Sequence, residues 1–228
     1  MQTTGNYVKI CNDIVFSYEF GDDRMIAIID YGAGNIQSVN KALKHLCCET
    51  VITRDKDIIM KADGAVLPGV GSFGDTMNTM TQYGIKDTVL DYTKSGKPFL
   101  GICLGLQLLF PASEESPDAT GLGIFDGTIT KIPSGKGLKI PHIGWNSLDI
   151  KKKDGIFKGI EGNPYVYFVH SYYLNATDKS IVAAQTNYGV TIDAAISKDN
   201  VFATQFHPEK SGETGLKILK NFADIVKG

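Results

Sequence analysis

The chain has 228 residues, 43% of them hydrophobic, which is enough to bury a substantial core, most simply in one domain. A formal charge of −2 without any long run of lysine and arginine argues against nucleic acid as the main partner, and Lys151-Lys152-Lys153 reads as a solvated turn. No apolar stretch reaches bilayer-spanning length and no secretory signal is visible, so no membrane association is expected.

Residues 1–24 look unlike the rest and read as a dispensable extension, with residues 25–228 as a single domain. Val15–Phe20 has the pattern of an edge strand, punctuated by Asn12-Asp13 and Gly21-Asp22-Asp23. Met25–Asp30 is a nearly continuous apolar run, as for a strand covered on both faces. Tyr31-Gly32-Ala33-Gly34-Asn35 turns the chain into a helix with Ile36, Val39, Leu43 and Leu46 along one side. Further strands are expected at Thr50–Thr53 and Gly64–Leu67, helical sequence from about Asp75 to Lys94, and a strand at Pro98–Ile102. This alternation predicts an α/β fold: a three-layer, doubly wound, mainly parallel sheet of flavodoxin-like type. From Gly121 to Asp199 short β-rich segments and glycine- or proline-marked turns predict an antiparallel or mixed elaboration, with Tyr165–Val169 and Val201–Phe206 the clearest strands. A last helix, from about Glu213 to Val226, lines up Leu216, Leu219, Phe222 and Val226, with Ser211 as N-cap.

The stretch Lys97–Gln107 carries the chemistry. An apolar strand runs into Gly101-Ile102-Cys103-Leu104-Gly105 and then a helix, which is a nucleophile elbow with a thiol in place of the serine. Pro111 should end that helix near Phe110. Far downstream, Gln205-Phe206-His207-Pro208-Glu209 places an imidazole and a carboxylate two apart, on one face of an extended segment. Thiol, proton acceptor and orienting carboxylate make a complete acyl-transfer set: Cys103, His207 and Glu209. The oxyanion such chemistry forms needs donors. The Leu104 amide is one candidate, and Val70, between Gly69 and Gly71 in a loop able to reorient a peptide, is the second. That loop also has a phosphate-loop look, but no Gly-Lys-Ser/Thr follows. Cys11, Cys47, Cys48 and Cys103 show neither Cys-x-x-Cys spacing nor a disulfide framework, so a reducing, cytoplasmic setting is expected, with Cys47 and Cys48 as packing residues. Four scattered histidines give a metal site little support.

Pro68–Phe73, Gly101–Gln107 and Gln205–Glu209 together resemble the class I, or triad-type, glutamine amidotransferases. Asp30–Asn35, Pro141–Asn146 and Tyr167–Tyr173 are similar, within that class, to the glutaminase subunits of imidazole glycerol phosphate synthase. The resemblance runs from Met25 to the C-terminus. It implies that glutamine acylates Cys103, that His207 shuttles protons and that Glu209 orients His207. It further implies that Gly71, Gln107, Glu115, Ser171 and Tyr172 hold the amino-acid end of L-glutamine, and that no cofactor is needed. A cyclase subunit is the implied partner, with Tyr167 and Lys210 at the interface. The Val70 loop is then expected to rest in a poor oxyanion geometry until the partner's substrate binds. Two other readings stay open. One is the glutaminase subunit of another synthase, such as anthranilate synthase, against which the Trp145 and His170 segments count. The other is a catalytically silent binding module of the same fold, against which the intact triad counts.

Overall fold

The computed structural model describes residues 7–11, 14–18, 24–32, 34–135 and 137–228, with side chains described from residue 24 onward. Two short strands, β1 (Tyr7–Cys11) and β2 (Ile14–Tyr18), pair antiparallel as a sheet of their own. The edge strand expected at Val15–Phe20 is therefore a hairpin strand that does not join the main sheet; Glu19 and Phe20 lie outside the described residues.

The first half then alternates as expected: β3 (Met25–Ile29), α1 (Ile36–His45), β4 (Glu49–Thr53), α2 (Lys56–Lys61), β5 (Gly64–Gly69), α3 (Phe73–Gln82), α4 (Ile85–Lys94), β6 (Phe99–Cys103) and the single turn α5 (Leu104–Gln107). The second half is strand-rich: β7 (Ala112–Ser113), β8 (Gly127–Lys131), β9 (His142–Ser147), β10 (Asp149–Ile150), β11 (Tyr165–His170), β12 (Tyr172–Ala176), β13 (Val182–Asn187), β14 (Thr191–Lys198) and β15 (Val201–Thr204), before α6 (Gly212–Lys227) closes the chain. Eight strands form the main sheet in the order β10-β13-β14-β15-β6-β5-β3-β4. The run from β15 to β4 is parallel and the other pairings are antiparallel. β11 pairs with β9, and β8 pairs with β12 on one side and β7 on the other, in two small outlying sheets.

Strand periodicity explains the layers. Ala27, Ile29, Ala65, Leu67 and Phe99 point to one core, shared with Ile59, Met77, Met80 and Val89 of α2, α3 and α4. Their neighbours Ile26, Ile28, Val66, Leu100 and Ile102 point to the other, shared with Val39 and Leu43 of α1 and Leu219 and Phe222 of α6. Continuous apolar runs such as Met25–Ile29 follow from this two-sided burial.

Four local expectations change. The helix expected over 75–94 is two helices, broken at Gly84, whose φ of +69° suits glycine. The helix after the elbow ends at Gln107, before Pro111 acts, because Leu109 and Phe110 tighten into bonds to residues three back, Leu106 and Gln107. In α6 Leu216 is half-buried and Ile218 fully buried, so the apolar stripe sits slightly rotated. Cys48 is a free thiol packed in the second core, whereas Cys47 is disulfide-bonded, which corrects both its packing role and the expectation that these cysteines form no disulfide. Among the described residues, no helix is long and apolar enough to cross a membrane, and no group of three or more His, Cys, Asp or Glu could hold a metal ion.

Candidate active site

The carboxyl ends of β3, β5, β6 and β15 converge on one point. Cys103 ends β6 and precedes α5 with φ +55° and ψ −107°, a strained conformation for a residue with a Cβ. The flanking glycines are sterically required. A Cβ on Gly105 would stand 1.9 Å from the Leu67 carbonyl oxygen, and one on Gly101 2.7 Å from the Gly105 oxygen. Strand and helix can approach this closely only without side chains there.

His207 follows β15, buried at 1% exposure, and its Nδ1 lies 2.8 Å from Glu209 Oε1. That contact assigns the proton to Nδ1 and leaves Nε2 facing the thiol side, where it makes no hydrogen bond in this arrangement. Asn35 donates its side-chain amide to the same Glu209 oxygen at 2.5 Å, fixing the carboxylate from a turn 174 residues earlier in the chain. Burial opposes a charge on His207. The neighbouring Cys103 sulfur and the Glu209 carboxylate outweigh that penalty and raise the imidazole to about 9.

A chain of amides backs the sulfur. Gln205 Nε2 donates to Cys103 Sγ at 3.6 Å, and Gln107 Nε2 donates to both Gln205 Oε1 and the Tyr172 carbonyl, each at 3.0 Å. The Tyr172 carbonyl also accepts from His170 Nδ1 at 2.9 Å, which leaves His170 Nε2 to accept from His142 Nδ1 at 3.0 Å. His142 is stacked between Phe168 and Tyr188, with ring centroids 4.8 and 3.9 Å away. Burial depresses both imidazoles, His142 to about 4 and His170 to about 3, so this pair is neutral where His207 is charged.

A cavity of about 300 Å³ opens beside the sulfur. Its lining includes Cys103, His207, Val70, Leu104, Gly71, Gln107, Glu115, Ser171 and Tyr172. Every residue singled out from the sequence for catalysis, oxyanion binding or substrate binding is thus in this wall, except Glu209, which stands behind His207. Glu115 is tied down as well, its Oε2 accepting the Phe73 backbone N–H at 2.7 Å at the start of α3. Tyr167 and Lys210 lie outside the cavity, Tyr167 half-buried beside Trp145 and Lys210 exposed. Ser211 precedes α6 as expected, but its hydroxyl does not cap the helix. It donates to the His207 carbonyl at 2.6 Å and accepts the Tyr167 N–H at 2.9 Å. Sequence reasoning assigned no role to Asn35, Gln205 or His170, although all three lie inside the segments that carried the resemblance.

This fold and site define a class. The family model described as Glutamine amidotransferase class-I matches residues 27–226, and the chain belongs to that family. It is 53% identical over 203 residues to the imidazole glycerol phosphate synthase subunit HisH of Caldanaerobacter subterraneus subsp. tengcongensis, covering 89% of this chain and 99% of that protein. The subunit of the same name from Syntrophotalea carbinolica is 50% identical over 206 residues, covering 88% of this chain and 100% of that protein. Among solved structures, PurLQS from Thermotoga maritima superposes with a TM-score of 0.70 at 21% identity, over 88% of this chain and 97% of that one, a likeness of fold alone.

Proposed function

We propose that the chain is the glutaminase subunit of an imidazole glycerol phosphate synthase, releasing ammonia from L-glutamine for a cyclase partner in histidine biosynthesis. The observation that carries this reading is the His207–Glu209 contact of 2.8 Å, with the unpaired face of the imidazole lining the same cavity as Cys103. A free thiol near neutral pH is only a few per cent ionised. Here a positively charged His207 and the amide of Gln205 both face the Cys103 sulfur, where they stabilise negative charge as it attacks.

The thiolate attacks the carboxamide carbon of glutamine and a tetrahedral oxyanion forms. The Leu104 amide and a reoriented Val70 amide receive its charge, each such donor contributing about 2.7–4 kcal/mol to the transition state. His207 gives its proton to the leaving nitrogen as the carbon–nitrogen bond breaks, leaving a Cys103 thioester and ammonia. The neutral His207 then takes a proton from water, whose oxygen attacks the thioester carbon and returns the thiol and glutamate. Glu209, held by Asn35, keeps the imidazole tautomer and stabilises its charge. Gly71, Gln107, Glu115, Ser171 and Tyr172 hold the amino and carboxylate end of the substrate.

Ammonia is protonated in water, so a sealed route into the partner is needed. The paired strands β9 and β11 support that partner's place. Ile143, Trp145 and Tyr165 are each more than half exposed on them, with Tyr167 and Lys210 alongside. Partner binding then sets the Val70 loop, making this a conditional glutaminase of the cytoplasm. The working unit is residues 25–228, and a chain started at Met25 is expected to fold and keep full activity. The decisive test is Cys103→Ala in the complex: glutamine-dependent synthesis disappears while ammonia-dependent synthesis persists. Loss of both would contradict the division of labour.

A further inference from the structure

Tyr31 follows β3 at the carboxyl ends of the parallel strands. It is only 2% exposed, and its hydroxyl has no hydrogen-bond partner among the described residues. A Cβ built on Gly69 would stand 2.6 Å from that hydroxyl, so the oxygen rests against the Gly69 α-carbon. The same point is 2.8 Å from Leu104 Cβ and 3.0 Å from the Gly105 nitrogen, which sets the phenol between the Val70 loop and the elbow. Burial, and secondarily the charge of Cys103, push the phenol well above its ordinary value, so it is a neutral donor at any working pH.

A buried hydroxyl without a partner destabilises the arrangement that holds it. A second arrangement in which the hydroxyl is paired is favoured by that difference. The adjoining loop can supply one. Gly69 ends β5 without a side chain, and Gly71, at φ +116° with no atom within 4 Å of a Cβ position, leaves the peptides between them free to turn.

We propose that Tyr31 is a positioning residue for the oxyanion loop: when the Gly69–Val70 peptide turns its N–H toward the Cys103 cavity, the Gly69 carbonyl swings to the opposite side and accepts a hydrogen bond from the Tyr31 hydroxyl. The inference rests on the glutaminase reading above and adds the group that stabilises its active loop state. It assigns one atom, a phenolic oxygen idle in the resting arrangement, to the switch between the two.

The test is Tyr31→Phe in the full chain, assayed with the cyclase partner and its ligand for glutamate released from L-glutamine, with thermal unfolding measured in parallel. A kcat lowered about three- to tenfold is expected, the effect of one neutral hydrogen bond. KM should stay within twofold and Tm should be equal or higher, because the lost hydroxyl was unpaired at rest. An unchanged kcat overturns the proposal, as does a joint fall of kcat and Tm, which marks a packing role. A rise in KM at constant kcat overturns it in favour of substrate binding. A wild-type complex that releases no glutamate defeats the glutaminase reading itself, and the inference with it.

Discussion

The backbone N–H of His207 donates to the Tyr167 carbonyl at 3.0 Å, so the turn bearing the triad imidazole hangs directly from β11. Ser211 adds a second bridge between the same two residues, and β11 in turn pairs with β9, where Trp145 faces outward opposite Tyr167. A shift of this outer two-stranded sheet therefore reaches the His207 backbone through two consecutive contacts, with no long relay required. Ser211→Ala leaves the Tyr167 N–H without its acceptor, while the His207 carbonyl keeps the Lys210 N–H at 3.0 Å. It should cost about 1–3 kcal/mol of stability, read as a lower denaturant midpoint, and lower kcat several-fold with little change in KM.

The raised imidazole fixes the alkaline side of the rate profile. His207 keeps its proton through neutral pH and loses it near 9. The proton needed by the departing nitrogen is then missing, so kcat/KM should fall above about pH 9. Glu209→Gln removes the charge that helps hold this proton. The alkaline limb should move toward neutrality and kcat/KM should drop on the order of 10²–10⁴-fold. A limb that stays in place would show that Glu209 does not act through His207.

The neutral histidine pair makes the opposite prediction for stability. His142 and His170 are depressed by burial, whereas in the unfolded chain both titrate near 6.5. Below pH 6.5 the unfolded chain takes up protons at these two sites that the folded one refuses, so this pair's contribution to stability is full above 6.5 and declines as pH falls toward about 4. Urea midpoints across this window should show the slope, and His142→Gln should flatten part of it. A midpoint constant between pH 6.5 and 4 contradicts the assignment.

The elbow tolerates no added carbon. Gly105→Ala would drive a methyl into the Leu67 carbonyl at 1.9 Å, a backbone contact that no rotamer relieves. The expected cost is about 3 kcal/mol or more, seen as a large drop in Tm or loss of soluble protein. A variant as stable as the parent would mean that the strand and helix are not packed this closely.

Much of this site was legible in the sequence, because its parts are local. Gly101-Ile102-Cys103-Leu104-Gly105 specifies its own turn, and His207 and Glu209 share a face at a spacing of two. The parallel core was legible for a similar reason, since burial on both faces leaves unbroken apolar runs such as Met25–Ile29. What could not be read are meetings set by topology. Asn35 reaches Glu209 only because β3 and β15 end at the same rim of the sheet, and nothing around Asn35 announces a carboxylate partner. The Ser211 hydroxyl followed the tertiary contact in preference to the helix end its position suggested. Gly84 marked the one point where the helical stretch was in question, but periodicity running on both sides of it did not say whether the helix breaks there.

Covalent trapping tests the central claim most directly. The chain, with the cyclase partner and its ligand, is treated with a diazo-ketone analogue of glutamine and mapped by peptide mass spectrometry. A single adduct on Cys103, suppressed by excess glutamine, is the predicted result. An unmodified Cys103, or an adduct confined to Cys48, also a free thiol, while glutamine hydrolysis is abolished, would contradict it.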